Sequence, residues 1–258
     1  MKLDTNRAVI IVTLIMTLAV LGTGIMGSSS EPLPDFGVYK DVKQKKSAFF
    51  GYILPLVDEQ NTLIQGQRDK LVEVKDLSEG EYSRSQLTFL TDLADQYRLT
   101  SPEEITPNVV KQLLVRVDQV PASLALAQAA MESAWGTSRF AVQANNLFGQ
   151  WCYQEGCGLV PLRRNAGSKH EVAKFDSVSD AIKSYLRNLN THRAYTDLRE
   201  QRALLRNAGK VVTGHKLAEG LIDYSELREA YVHEIQAVIR INKLTKYDSE
   251  STDYISNT

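Results

Sequence analysis

The stretch Ser123-Leu-Ala-Leu-Ala-Gln-Ala-Ala-Met-Glu132-Ser-Ala-Trp135-Gly136 is almost wholly apolar and ends on one carboxylate beside an indole. Leu124, Ala127, Met131, Ala134 and Trp135 recur at helical spacing and mark the face that packs inward. Gln128 lies one turn before Glu132, so an amide and a carboxylate line the same border of the helix. Gly136 ends the pattern as a helix C-terminal glycine does, and Thr137-Ser138 opens the next segment. Glu132 therefore falls in the last turn, at the negative end of the helix dipole, where ionisation is mildly disfavoured. Burial against Trp135 acts in the same direction, because a carboxylate stripped of water stays protonated to higher pH. That is the preparation a general acid needs.

Around this segment the chain has 258 residues, enough for one large domain or for a catalytic domain with an accessory helical region. Its 30 basic and 31 acidic side chains give no electrostatic reason to expect nucleic acid as a partner. Ala8 to Met26 carries no charge and follows Lys2 and Arg7; as a helix it spans about 28 Å. Residues 1–27 thus read as an export signal, with Gly22 and Gly24 near a cleavage site, or as an anchor in the inner membrane. Both readings place the rest of the chain in the periplasm or cell envelope. No cysteine lies near this segment, which excludes a lipoprotein anchor.

Cys152 and Cys157 are the only cysteines. In an exported chain they read as a small disulfide loop, with a zinc half-site as the competing reading. Compartment and spacing favour the disulfide, since His170, His192, His215 and His233 do not pair at ligand spacing. No metal or cofactor is expected. His233-Glu234 lacks the second histidine that a metalloprotease helix needs.

Residues 28–38 read as a linker. From 39 to 77 the pattern is helical with a break at Pro55, which predicts a helical hairpin. Further helices are predicted over 83–99 and 107–117, so that 39–120 forms a helical accessory region without readable chemistry. Between Gly158 and Phe175 the rhythm changes to that of a short β-hairpin. Helices resume over 178–190, 201–207, 214–219 and 224–244, and a polar tail, 245–258, is expected to fray. The fold class is mainly α, with a small β contribution.

Taken in order, Leu124 to Gly136, Asn146-Leu-Phe-Gly149, Lys174-Phe175-Asp176, Ala181 with Tyr185-Leu186, and Tyr224 with Tyr231 are similar to glycoside hydrolase family 73. Trp151-Cys152 and Gly156-Cys-Gly158 resemble its exported Bax-like branch. The resemblance covers 121–244. It implies a lysozyme-like catalytic domain, with a helical body, a β-hairpin as one wall and a groove for a glycan strand. It also implies cleavage after N-acetylglucosamine in peptidoglycan, with Glu132 as the general acid.

Glycoside hydrolysis usually employs a second carboxylate. Several members of that family carry one on the first hairpin strand, where this chain has Leu159-Val-Pro-Leu-Arg-Arg164 and no acid. Glu171 on the second strand is the nearest candidate, with Glu155 in the cysteine loop as another. The alternative is attack by the substrate's own N-acetyl oxygen, oriented by a tyrosine that the resemblance places at Tyr224 or Tyr231. Gln128, Trp135, Asn146, Phe148 and Trp151 are candidates for touching the glycan. Core packing competes for both tryptophans and for Tyr231, and Asn146 is also suited to holding its turn. The rival readings are a muramidase or lytic transglycosylase of the same fold, and a non-catalytic glycan-binding envelope protein.

Overall fold

The computed structural model describes residues 32–99, 104–162, 164 and 167–248. The expected signal or anchor lies outside the described residues. Among the described residues no helix is long and apolar enough to cross a membrane.

Helix α1 spans Val42–Val74 without interruption, capped at its start by the Asp41 side chain, and Pro55 lies inside it. The predicted hairpin is therefore replaced by a single helix. Pro55 lacks the N–H that would reach the Gly51 carbonyl, a cost of about 3 kcal/mol. Burial of Phe49, Phe50, Ile53 and Val57 on the flanking turns offsets it, at roughly 1.5–3 kcal/mol per side chain. Helix α2, Arg84–Gln96, starts at a capping box of Ser83 and Gln86. Helix α3, Pro107–Arg116, starts with Pro107 behind the Thr106 cap. Both pack on the second half of α1, around Leu71, Leu90, Leu93, Val110 and Leu113.

Helix α4, Ala122–Glu132, has nine of its eleven residues buried, so its small residues let neighbours approach on every side. The first half of α1 contributes Phe49, Phe50, Ile53 and Val57 to the same core as Leu124, Leu126 and Ala129. The Asn61 side chain on α1 donates to the Val120 carbonyl (2.8 Å) and accepts the Val120 N–H (3.1 Å). The core thus crosses residue 120, and the described residues belong to one compact unit.

No side chain of its own caps the start of α4. Asp248 does so from the far end of the chain, accepting Ser123 N–H (2.9 Å), Ser123 Oγ–H (2.7 Å) and Gly214 N–H (3.1 Å). The first residues of the predicted frayed tail are instead ordered, since Leu244–Tyr247 forms a 3-10 turn and Asp248 is buried, and the rest of that tail lies outside the described residues. A carboxylate at the positive end of a helix with three N–H or O–H donors is well placed.

Helix α5, Arg139–Ala144, leads into a sheet of β1 (Trp151–Cys152), β2 (Gly158–Leu159) and β3 (Glu171–Ala173), ordered β1-β3-β2 and antiparallel throughout. The predicted hairpin is the β2–β3 pair, with Leu159 opposite Val172; β1 adds to the other edge of β3, with Cys152 opposite Glu171. Gly158 lies so close to β3 that an added Cβ would sit 1.9 Å from the Val172 carbonyl oxygen.

The remaining helices are α6 (Val178–Thr191), α7 (Thr196–Asn207), α8 (Gly214–Leu217) and α9 (Glu229–Ile241). Helix α7 begins five residues before the expected position, and α9 begins at Glu229 rather than 224. Helices around a core with a small antiparallel sheet make the fold mainly α, as expected from the sequence.

Candidate active site

Helix α4 ends at Glu132 because Ser133 takes over its last bonds. The Ser133 hydroxyl donates to the Ala129 carbonyl (2.6 Å) and accepts the Gly136 N–H (2.7 Å). Ala134, Trp135 and Gly136 then all adopt positive φ (51°, 59° and 77°). Gly136 is the last of these left-handed residues, and a Cβ there would meet the Phe36 ring at 2.4 Å. Only glycine fits.

The Glu132 carboxyl is half-buried. Its Oε1 accepts a hydrogen bond from the Tyr231 hydroxyl at 2.8 Å. Its Oε2 faces Gly149, close enough that a Cβ on that glycine would lie 3.7 Å away. Burial raises the Glu132 pKa above the ordinary carboxyl value, and the Tyr231 hydrogen bond opposes that rise. The group is therefore biased toward the protonated form that a general acid requires.

Behind it lies a buried polar chain. The Tyr185 hydroxyl donates to Gln128 Oε1 (2.5 Å), and Gln128 Nε2 donates to the Tyr231 oxygen (2.9 Å). Tyr231 stacks on Tyr224 (5.3 Å, 7°), and Tyr185 stacks on Phe148 (3.9 Å, 8°). Tyr224 in turn donates to the Phe148 carbonyl (2.9 Å). Burial pushes all three phenols well up, so they act as neutral donors and not as bases.

The Asn146 side chain holds the turn carrying Phe148 and Gly149. It donates to the carbonyls of Gln150 (2.9 Å) and Ala173 (2.8 Å), and accepts the N–H groups of Phe148 (3.3 Å) and Gln150 (3.0 Å). All of its capacity is thus spent on backbone, which joins the turn to β3.

The sheet forms a separate cluster. Cys152 and Cys157 are joined in a disulfide that closes the loop between β1 and β2. Glu171 is buried under that loop and accepts the N–H groups of Gly156 (3.1 Å) and Gly158 (2.8 Å), which hold its carboxyl below the ordinary range. The two sulfurs and a Glu171 oxygen lie within 4.8 Å of one another, a spacing compatible with a metal. The disulfide leaves no thiolate to serve as a ligand.

Of the residues singled out in the sequence, Glu132, Gln128, Phe148, Tyr224 and Tyr231 come together. Gln128 is fully buried with its amide spent on two tyrosines, so it does not offer itself to a glycan, contrary to the expectation. Phe148 is likewise closed off, at 2% exposure. Trp135 packs edge-on against Phe49 and Phe50, with Lys46 Nζ 4.7 Å above its ring. Trp151 is 58% exposed and stacks on His170 (4.1 Å). Tyr185 is the site residue that sequence reasoning used only as a landmark; its position on the apolar face of α6, beside Ala181 and Ile182, masked its hydroxyl.

A cavity of about 760 Å³ opens at the other end of α4, beside Pro121, Ala122, Arg206 and Tyr247. None of the residues around Glu132 lines it.

A carboxyl whose pKa is raised by burial, at the end of a buried helix and beside neutral phenols, has the chemistry suited to a general acid. Residues 110–244 match the glucosaminidase family, described as mannosyl-glycoprotein endo-beta-N-acetylglucosaminidase, and the chain belongs to it. The chain is similar to the protein bax of Escherichia coli strain K12, with 32% identity over 216 residues, covering 84% of this chain and 76% of that one. It was also matched to the catalytic domain of the autolysin Auto from Listeria monocytogenes, at 18% identity and a TM-score of 0.38, over 70% of this chain and 86% of that one.

Proposed function

We propose that this protein is a peptidoglycan hydrolase that cuts the β-1,4 bond after N-acetylglucosamine, with Glu132 as the general acid. The observation that carries this reading is the Glu132 carboxyl itself, with Oε1 bound by Tyr231 and Oε2 turned toward Gly149. Oε2 gives its proton to the leaving glycosidic oxygen. Membership of the glucosaminidase family supports the choice of bond, and the expectation of export supports an envelope glycan as substrate. The exposed face of Trp151 offers an apolar surface for a pyranose ring.

Glu171 stands as the sequence candidate for the second carboxylate, but both its oxygens are occupied by loop N–H groups. That occupation favours the reading in which the N-acetyl oxygen of the substrate attacks the anomeric carbon and water then opens the intermediate. Glu171 serves in this reading to hold the disulfide loop.

The test compares wild type with Glu132→Gln on purified peptidoglycan and identifies the products by mass spectrometry. Loss of turnover in the variant, with N-acetylglucosamine at the new reducing ends in wild type, is expected. N-acetylmuramic acid at those ends, or its anhydro form, identifies a muramidase or lytic transglycosylase instead. Equal turnover by the two proteins removes Glu132 from the mechanism.

A further inference from the structure

The three hydrogen bonds behind Glu132 all run in one direction. A phenol has one proton to give, and a glutamine amide has an acceptor end and a donor end. Tyr185 gives its proton to the carbonyl end of Gln128, which leaves the NH2 end facing Tyr231. The Tyr231 oxygen is then already accepting, so its proton points at Glu132 Oε1. An oxygen that accepts in this way is a poor place for the acid's own proton. The transferable proton is left on Oε2, the oxygen facing Gly149.

We propose that Tyr185 and Gln128 are positioning residues for the catalytic acid: by fixing the direction of this chain they make Tyr231 donate to Oε1 and keep the proton of Glu132 on Oε2. The proposal rests on Glu132 being the acid. The geometry suits the task, since Gln128 and Tyr185 are both fully buried and exchange no bonds with water. Gln128 and Glu132 stand one turn apart on the same rigid helix. The stack of Tyr185 on Phe148 also ties the far end of the chain to the turn that presents Gly149.

The arrangement has a further consequence once the proton has left. Tyr231 then donates to a full carboxylate, and a hydrogen bond to a charged acceptor is about twice as strong as one to a neutral acceptor. The chain therefore stabilises the product state of Glu132 and makes it a stronger acid than burial alone would leave it.

The experiment measures the pH dependence of kcat/KM on a soluble glycan oligomer for wild type, Tyr231→Phe, Tyr185→Phe and the double variant, with Glu132→Gln as reference. Tyr231→Phe removes the bond to Oε1 directly, and the basic limb is expected to rise by about one to two pH units. Tyr185→Phe keeps the ring and its stack but frees the Gln128 amide to turn, and the same limb is expected to rise by about half a unit. In the double variant the limb is expected to match Tyr231→Phe alone, because Tyr185 acts only through Tyr231.

Gln128→Met, which keeps the chain length but has no donor or acceptor end, is expected to behave like Tyr185→Phe. Infrared titration of the Glu132 carboxyl in substrate-free protein reads the same shifts without turnover. An unmoved limb in Tyr185→Phe and Gln128→Met, or additive shifts in the double variant, overturns the proposal. Activity retained by Glu132→Gln instead overturns the reading on which it rests.

Discussion

Asp118 is one of the points at which the helices before residue 120 are locked to the rest of the protein, and Asp118→Asn tests how much depends on it. Its carboxylate, 2% exposed, meets Arg206 through two bonds of 2.6 Å, Arg68 at 3.5 Å and Arg202 at 3.6 Å. Arg202 is completely buried and also donates to the carbonyls of Val115, Arg116, Asp118 and Gln119. Three guanidinium groups thus share one carboxylate. Neutralising it leaves Arg206 able to turn toward water and Arg68 partly so, whereas Arg202 has no such escape. Burial already lowers the Arg202 pKa to about 10 even with Asp118 as its counter-charge. Removing one partner of a buried ion pair costs about 3–5 kcal/mol. For a protein of this size that corresponds to a fall in Tm of roughly 6–20 °C. Thermal and urea unfolding of wild type and variant at pH 7 measure it, with glycan turnover recorded below both transitions. A loss smaller than about 1 kcal/mol would refute the reasoning, because it would mean that the backbone carbonyls alone neutralise the Arg202 charge.

Glu132→Gln is expected to raise stability at neutral pH while abolishing turnover. The Glu132 pKa is raised in the folded state, so its contribution is fully present below the unfolded value and is lost as pH rises through the folded value. Unfolding curves of the two proteins should therefore converge near pH 4 and separate toward pH 7; parallel curves would contradict this. Gly136→Ala places a Cβ 2.4 Å from the Phe36 ring at φ 77°, and a loss of about 2 kcal/mol or more is expected from strain and overpacking together. Denaturant midpoints measure it. Glu171→Gln should speed reduction of the Cys152–Cys157 disulfide by a thiol, since the carboxylate holds the loop through Gly156 and Gly158.

The proposed acid, Glu132, was legible in the sequence because one chemical pattern marked it: an apolar helix with a single carboxylate in its last turn. The partners of that acid were harder to read, since Tyr185 and Tyr231 lie on apolar faces where periodicity assigns them to the core. Both assignments are correct for the rings and incomplete for the hydroxyls. Pro55 misled for a different reason. Local backbone rules disfavour proline inside a helix, but the aromatic pair Phe49 and Phe50 on one side and Val57 on the other make the continuous helix worth its lost bond. The role of Asp248 was out of reach of local pattern altogether, because its partners Ser123 and Gly214 lie 125 and 34 residues away.

These distant contacts bear on the proposed role of Glu132. A proton donor has to be held to within about half an ångström of its productive geometry, and Glu132, the proposed donor, inherits its position from α4. That helix is fixed at its start by Asp248, along its length by α1 packing, just before its first turn by Asn61, and at its end by Ser133. The segments flanking the 121–244 stretch are therefore parts of the scaffold that aims the carboxyl. A fragment limited to 121–244 would expose the face of α4 that Phe49, Phe50, Ile53 and Val57 now cover, and would leave Ser123 N–H without the Asp248 carboxylate. Such a fragment is expected to lose cooperative near-ultraviolet signals before it loses helix content. Full turnover by it would show that α4 needs neither flank.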